Sequence, residues 1–302
     1  VITVTQGTLR LPGTGSVGGE DSGSYWVGRL ASLDFAGGTR LLSASSSILA
    51  QGEVKFTGNQ TKSVEGSYQV ATTTIGGGGA DFTKAIAPRF GAVVQTSGTL
   101  NLLDAVIEGD FIRSGGIFGA GSGTITFTAP ISQELNLGLP TTFNHLVIYT
   151  GTLLVESQPA DNVRVNGGFT NYGVVRKTQA VSGPASLDFG LTGVVVNVTS
   201  AGSLTAIQVE RIDRSHPQAN ALTDSGVYWL IEPVGAGYVV DLSLPHRVRV
   251  PESALVCRHT GPGWDCGRTT ATSLAVTRAG LTELSEWAVG ALFRTYTPLL
   301  RR

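Results

Sequence analysis

Methionine is absent from the 302 residues, cysteine occurs twice and lysine only four times, at Lys55, Lys62, Lys84 and Lys177. Charged side chains make up 14 % of the chain, well below the usual quarter. The 21 basic and 22 acidic residues nearly cancel, leaving a net charge of −1. That balance lacks the positive field that carries binding to nucleic acid or anionic membranes. No run approaches the ~18 apolar residues of a membrane-spanning helix. Gly, Ser and Thr, rather than helix formers, take the place of the missing charge, which excludes a helical bundle or coiled coil. Intrinsic disorder is excluded too, because apolar residues make up 41 % of the chain and recur at regular spacing. The composition predicts a soluble, β-rich protein.

A chain opening Val-Ile-Thr-Val-Thr reads either as a mature form whose signal peptide has been removed or as an incomplete chain. The cysteines favour the first. Cys257 and Cys266 flank a segment containing Gly261-Pro262-Gly263, which suits a hairpin tip and brings both Cβ atoms within bonding distance. A disulfide there requires an oxidising compartment, so an extracellular location is expected. Zinc is not expected at this place, since His259 alone lies nearby.

Helix signals are nearly missing; the best, Asp81 to Phe90, contains Pro88 and reads as a turn. Short alternating segments instead recur after glycine, as in Gly38-Thr-Arg-Leu-Leu, Gly52-Glu-Val-Lys-Phe, Gly98-Thr-Leu-Asn-Leu and Gly151-Thr-Leu-Leu-Val. Ile107 to Gly115 aligns with Val165 to Gly173, and Gly52-Glu-Val-Lys-Phe-Thr with Gly123-Thr-Ile-Thr-Phe-Thr. Strands repeated at loose spacing with glycine corners predict coils stacked on coils. The run Gly123-Thr-Ile-Thr-Phe-Thr, Thr142-Phe-Asn-His-Leu-Val-Ile, Gly151-Thr-Leu-Leu-Val and Val163 to Gly173 resembles secreted bacterial parallel β-helix surface proteins. That resemblance implies an adhesin or an envelope-associated structural protein.

Beyond Arg176 to Pro184 the strands lengthen: Val194–Thr199, Ser203–Glu210, Val227–Glu232, Tyr238–Leu244, Ala254–Arg258, Ser273–Thr277 and Glu286–Leu292. Such a set predicts a two-sheet β-sandwich. The pieces Val227 to Pro233, Val256 to Cys266 and Leu284 to Gly290 resemble the sandwich domain that follows β-helices in secreted proteins. The expected fold is therefore all-β: a right-handed parallel β-helix over 1–180, a β-sandwich over 185–291 and a tail over 292–302.

Chemistry-bearing residues are few. Glu108 and Asp110, with Asp104 nearby, alternate with apolar residues and so face outward. β-Helix polysaccharide enzymes carry carboxylates on such a face, but need more acids, or calcium with a base. Arg113 is the only nearby base in sequence, so a solvated face is the simpler reading. His145, His216, His246 and His259 are scattered without metal-ligand spacing, and His216 and His246 sit beside prolines as turn residues. Trp26 could serve as a sugar-stacking platform, Trp229 and Trp287 read as core, and Trp264 is expected to pack over the disulfide. No catalytic residue, metal set or cofactor site emerges.

The ends carry the functional reading. Val1, Ile2, Thr3, Val4, Thr5 and Gln6 form an alternating, uncharged strand with nothing to cap a first coil. Leu292, Phe293, Tyr296, Leu299 and Leu300 form an apolar tail. Both suit β-strand addition or head-to-tail stacking between identical chains, or else pack on their own chain. The expected function is a non-enzymatic subunit of an extracellular filament, a homopolymer. The alternatives are a cell-surface adhesin or carbohydrate-binding module engaging surface glycans and, further off, a β-helix polysaccharide-degrading enzyme.

Overall fold

The computed structural model describes residues 1–13, 19–157 and 163–292. Backbone contacts divide the chain into two compact units, the first ending at Val174 and the second starting at Val175.

The first unit is a parallel β-solenoid of about eight turns. Strand β1 (Ile2–Pro12) lies parallel to Ser24–Ala36, which lies parallel in turn to Ser47–Thr57, Ser67–Ile75 and Ile86–Gln95. The register slips once within each of these pairs, so each long strand turns a corner and covers two faces. Later coils follow the same path in two pieces, such as Ala105–Ile107 with Phe111–Arg113 and Thr124–Phe127 with Ser132–Leu137. Six short strands, from Gly19–Asp21 to Ile117–Gly119, make a third face.

Period-2 alternation sends every second residue inward, and parallel register stacks these residues in columns. One column runs Val27, Ala50, Val70, Phe90, Ile107, Phe127, Ile148, and all seven are buried. A second runs Phe35, Phe56, Ile75, Gln95, Arg113, Leu137. It turns polar midway because Gln95 and Arg113 serve inward-facing carbonyls. Gln95 Nε2 donates to Gly98 O and Ile117 O, while Arg113 donates to the carbonyls of Gly116, Leu139 and Pro140. Arg113, in step with the inward Ile107 and Phe111, is therefore an interior residue and does not serve as a base for the outer-face acids.

Gly78, Gly98 and Gly116 stack at one corner with φ of 50°, 68° and 77°. Their spacing of roughly twenty residues is the true coil period. The two motif alignments follow a different one. Phe56 and Phe127 occupy different columns, and Phe111 pairs with Val93 and Leu135 whereas Phe169 pairs with Leu146. A glycine followed by polar residues and Phe fits more than one corner, so the motif recurs without marking equivalent positions.

The second unit has two antiparallel sheets. One runs Ala185–Asp188, Val195–Ser200, Val239–Pro245, Ala275–Leu281, Thr270–Ala271. The other runs Ala206–Ile212, Tyr228–Val234, Glu286–Ala291, Ala254–His259, Trp264–Gly267. Both feed one apolar core, the two-sheet organisation that the strand count predicts. Trp229 and Trp287 pair directly across neighbouring strands and are wholly buried, and Trp229 donates to Thr192 O at 2.9 Å. Among the described residues the second unit's helical segments are two single 3₁₀ turns, Gly190–Thr192 and Pro251–Ser253.

Candidate functional site

The hairpin 254–267 sets the geometry of a side-chain cluster in the second unit. Its strands pair Val256 with Gly267, Cys257 with Cys266, Arg258 with Asp265 and His259 with Trp264. The cysteines thus face each other with Cα atoms 4.0 Å apart and form a disulfide, as their spacing implied. The Trp264 ring packs against two imidazoles. Its centroid lies 5.2 Å from that of His259, its cross-strand partner, and 5.0 Å from that of His216, because directly opposed residues on one sheet face are neighbours.

Glu286 opens the neighbouring strand Glu286–Ala291, which runs antiparallel to Ala254–His259 and so starts where that strand ends. One carboxylate oxygen, Glu286 Oε2, lies 3.0 Å from His259 Nδ1 and 3.2 Å from His216 Nε2. The two imidazole centroids are 4.9 Å apart. His216 comes from the loop after Ala206–Ile212 and is 7 % exposed. Its Nδ1 accepts the Gln218 N–H at 3.1 Å, which places the ring proton on Nε2, facing the carboxylate. Tyr228 packs edge-on against the same ring, and Trp264 Nε1 donates to Gln218 O, fixing the loop that carries His216. A cavity of about 400 Å³ adjoins, lined by His259, Tyr238, Thr260 and Ser285 among others. Burial raises the pKa of the Tyr238 hydroxyl there, against the hydrogen bond it accepts from Leu284 N.

Sequence spacing did not reveal this group. Glu286 lies 70 residues from His216 and 27 from His259, so only the sheet pairing unites them. His246 does act as a turn residue, with Nδ1 accepting from Val248 N.

At the solenoid's first coil, Ile2, Thr3 and Val4 pair with Tyr25, Trp26 and Val27, and Gln6 pairs with Leu30. Val1 to Gln6 are therefore not a detached arm: β1 is laddered on its own chain along one edge, with Val4 buried inward and Val1, Ile2, Thr3, Thr5 and Gln6 exposed. Its opposite edge has no strand partner among the described residues. Of the tail, Leu292 is half-exposed and its N–H donates to Ser253 O; Phe293, Tyr296, Leu299 and Leu300 lie outside the described residues. On the outer face Glu108 pairs with Arg89 from the preceding coil. Asp110 accepts Glu134 N, and Asp104 accepts Thr124 N. These acids tie coils together. Trp26 faces outward between Thr3 and Leu49. Compared with known proteins, the chain matches no family model, no curated protein and no solved structure.

Proposed function

We propose that the chain is a non-catalytic structural protein of an extracellular fibre, self-associating through the first coil of its solenoid. The carrying observation is β1: eleven residues whose ladder is filled on one side by Ser24–Ala36 and, among the described residues, without a strand partner on the other. An open, nearly uncharged edge is a template for a further strand. Each added ladder bond contributes about 0.5–1.5 kcal/mol net, so a strand of this length anchors a neighbour without covalent linkage. The cross-strand disulfide and the absence of a long apolar helix among the described residues are compatible with an extracellular setting. Two first coils paired about a two-fold axis make a closed dimer, whereas a fibre needs β1 to meet a different surface of the next copy.

Electron microscopy of the purified chain, with sedimentation, tests this reading. Filaments are expected, and they should disappear in the double variant Thr3→Lys, Thr5→Lys, whose charges decorate the edge while Val4 stays inward. Monomers, discrete dimers, or filaments that persist in this variant refute it. Deleting residues 1–6 is a poorer test, because it strips part of the cis ladder and bares the next coil.

A second reading, a glycan-binding surface, has its own observation: the outward indole of Trp26 on a flat face beside Thr3, Leu49 and Gln69. Retention on immobilised glycans that is lost in Trp26→Ala would support it.

A further inference from the structure

We propose that His216, His259 and Glu286 form a binding site for a divalent transition-metal ion of the zinc class, with an open coordination position. The site is independent of the fibre reading, which concerns the other unit. His216 Nε2 and His259 Nδ1 lie 3.2 and 3.0 Å from one Glu286 carboxylate oxygen and all three atoms within 4.8 Å of one another, so a modest inward movement of the side chains brings them onto a single ion at ~2.0–2.2 Å. Two imidazoles and one carboxylate suit zinc, copper or nickel; calcium and magnesium take oxygen donors in larger number. Three protein ligands leave a fourth position for water. Glu286 is 41 % exposed in its side chain, against 5 % for His216 and 11 % for His259, so the carboxylate opens the site to solvent while the imidazoles sit in a packed wall.

The tautomers decide what binding requires. Without an ion, both imidazoles direct an N–H at Glu286 Oε2. An ion takes the place of those two protons, and each ring shifts its proton to the other nitrogen, so no proton need be released. For His259 the other nitrogen, Nε2, has no hydrogen-bond partner among the described residues, and the shift sacrifices nothing. For His216 it is Nδ1, which gives up the 3.1 Å bond from Gln218 N, one neutral hydrogen bond against a metal–nitrogen bond. The aromatic packing of Trp264 and Tyr228 against His216, and of Trp264 against His259, holds the rings in place, which is the support a metal site needs from its surroundings.

The test is calorimetric titration of the full chain, freed of metal, with Zn²⁺ at pH 7.5. One equivalent binding with micromolar or tighter Kd is expected, weakened at least tenfold in His259→Gln and in Glu286→Gln and unchanged in His246→Gln. Because a cluster variant could misfold, Co²⁺ binding to the unaltered chain gives a second readout: visible d–d absorption of a four- or five-coordinate ion, abolished by one equivalent of Zn²⁺. No binding up to millimolar Zn²⁺, or affinity retained in both cluster variants, overturns the proposal, and so does a Co²⁺ spectrum indistinguishable from the hydrated ion.

Discussion

Replacing Gly98 and Gly151 by alanine, one at a time, separates two costs that the solenoid imposes on its corners. Both glycines have positive φ, 68° and 84°, so each alanine incurs the left-handed penalty of about 1–2 kcal/mol, partly offset by ~0.4–1 kcal/mol from a less flexible unfolded chain. They differ in what a Cβ meets. At Gly151 nothing lies within 4 Å, whereas at Gly98 the methyl would sit 2.6 Å from Gly78 O and 2.8 Å from Gly77 O. Those carbonyls cannot swing away cheaply, because Gly78 O already accepts Thr99 N at 2.9 Å. The coils must part, which adds about 1–3 kcal/mol of overpacking. Gly151→Ala is therefore expected to cost about 1 kcal/mol and Gly98→Ala about 2–4 kcal/mol. Urea unfolding followed by far-UV circular dichroism reads the loss. Tryptophan fluorescence provides a control, since Trp229, Trp264 and Trp287 lie in the second unit and only Trp26 in the first. Equal shifts for the two variants would refute the stacked-corner reasoning, because the backbone penalty alone is common to both.

Removing the disulfide with Cys257→Ser and Cys266→Ser, nine residues apart, restores loop entropy to the unfolded chain worth about 2.7 kcal/mol at 25 °C. A fall of that order in the second unit's unfolding free energy, read by tryptophan fluorescence, is expected, and a fall under about 1 kcal/mol counts against the loop-entropy account. Asp21 supplies a pH test. Burial alone would raise its pKa, but hydrogen bonds from Tyr25, Gly23 N and Arg40 outweigh burial and hold it below 3.8. A depressed carboxylate stabilises the fold above its unfolded pKa and loses that contribution as pH falls through the folded one. Asp21→Asn should accordingly cost about 1–2 kcal/mol at pH 7, with the two proteins converging below pH 3.8; a difference independent of pH would exclude the charge as its cause. Tyr25 runs the other way. Burial, then Asp21, pushes its hydroxyl up to about 12 from 10.0, so its contribution is complete below pH 10 and fades toward 12, a loss that Tyr25→Phe should remove from the alkaline unfolding curve.

Much of the architecture was legible because it rests on short-range signals. Period-2 alternation and glycine corners mark the solenoid strands, and Gly261-Pro262-Gly263 between two cysteines marks the hairpin and its bridge. In the second unit the expected strands at 194–199, 227–232, 238–244 and 286–292 fall within about one or two residues of Val195–Ser200, Tyr228–Val234, Val239–Pro245 and Glu286–Ala291. Coil equivalence was not legible. The repeated patterns of a glycine followed by Phe were visible, but the period that matters belongs to glycines with positive φ, a property of backbone conformation. Arg89 pairs with Glu108 across nineteen residues, a contact that a search for bases near Glu108 along the chain passes over in favour of Arg113. The His216, His259 and Glu286 cluster was hidden for the same reason, with an additional one: the prolines beside His216 and His246 point equally to a turn, and His216 fills a turn role at Nδ1 and a cluster role at Nε2.

The interior of the solenoid shows why polar residues do not mark a site in this architecture. A coil stacked in parallel satisfies its strand backbone through neighbouring coils, but at corners some carbonyls keep acceptor capacity toward the interior even where, as at Gly98 O and Ile107 O, a backbone N–H of the next coil is already bound, and a long interior donor adds a further bond worth about 0.5–1.5 kcal/mol net. Gln95, Gln133 and Arg113 lie 0 %, 0 % and 5 % exposed and donate to such carbonyls: Gly98 and Ile117, Ile107 and Gly109, and Gly116, Leu139 and Pro140 respectively. Lys62, 1 % exposed, donates to Gln60 O and Thr57 O in the same way. Arg113 occupies the column position that Leu137 takes one coil later, so an alternating sequence accepts either an apolar residue or a long donor there, depending on which way the corner carbonyls face. The residues that tie the corners together are thus chosen by backbone geometry. The His216, His259 and Glu286 cluster differs in the one respect that matters for function: its donors converge on a single side-chain carboxylate reachable by solvent, rather than on carbonyls of the fold.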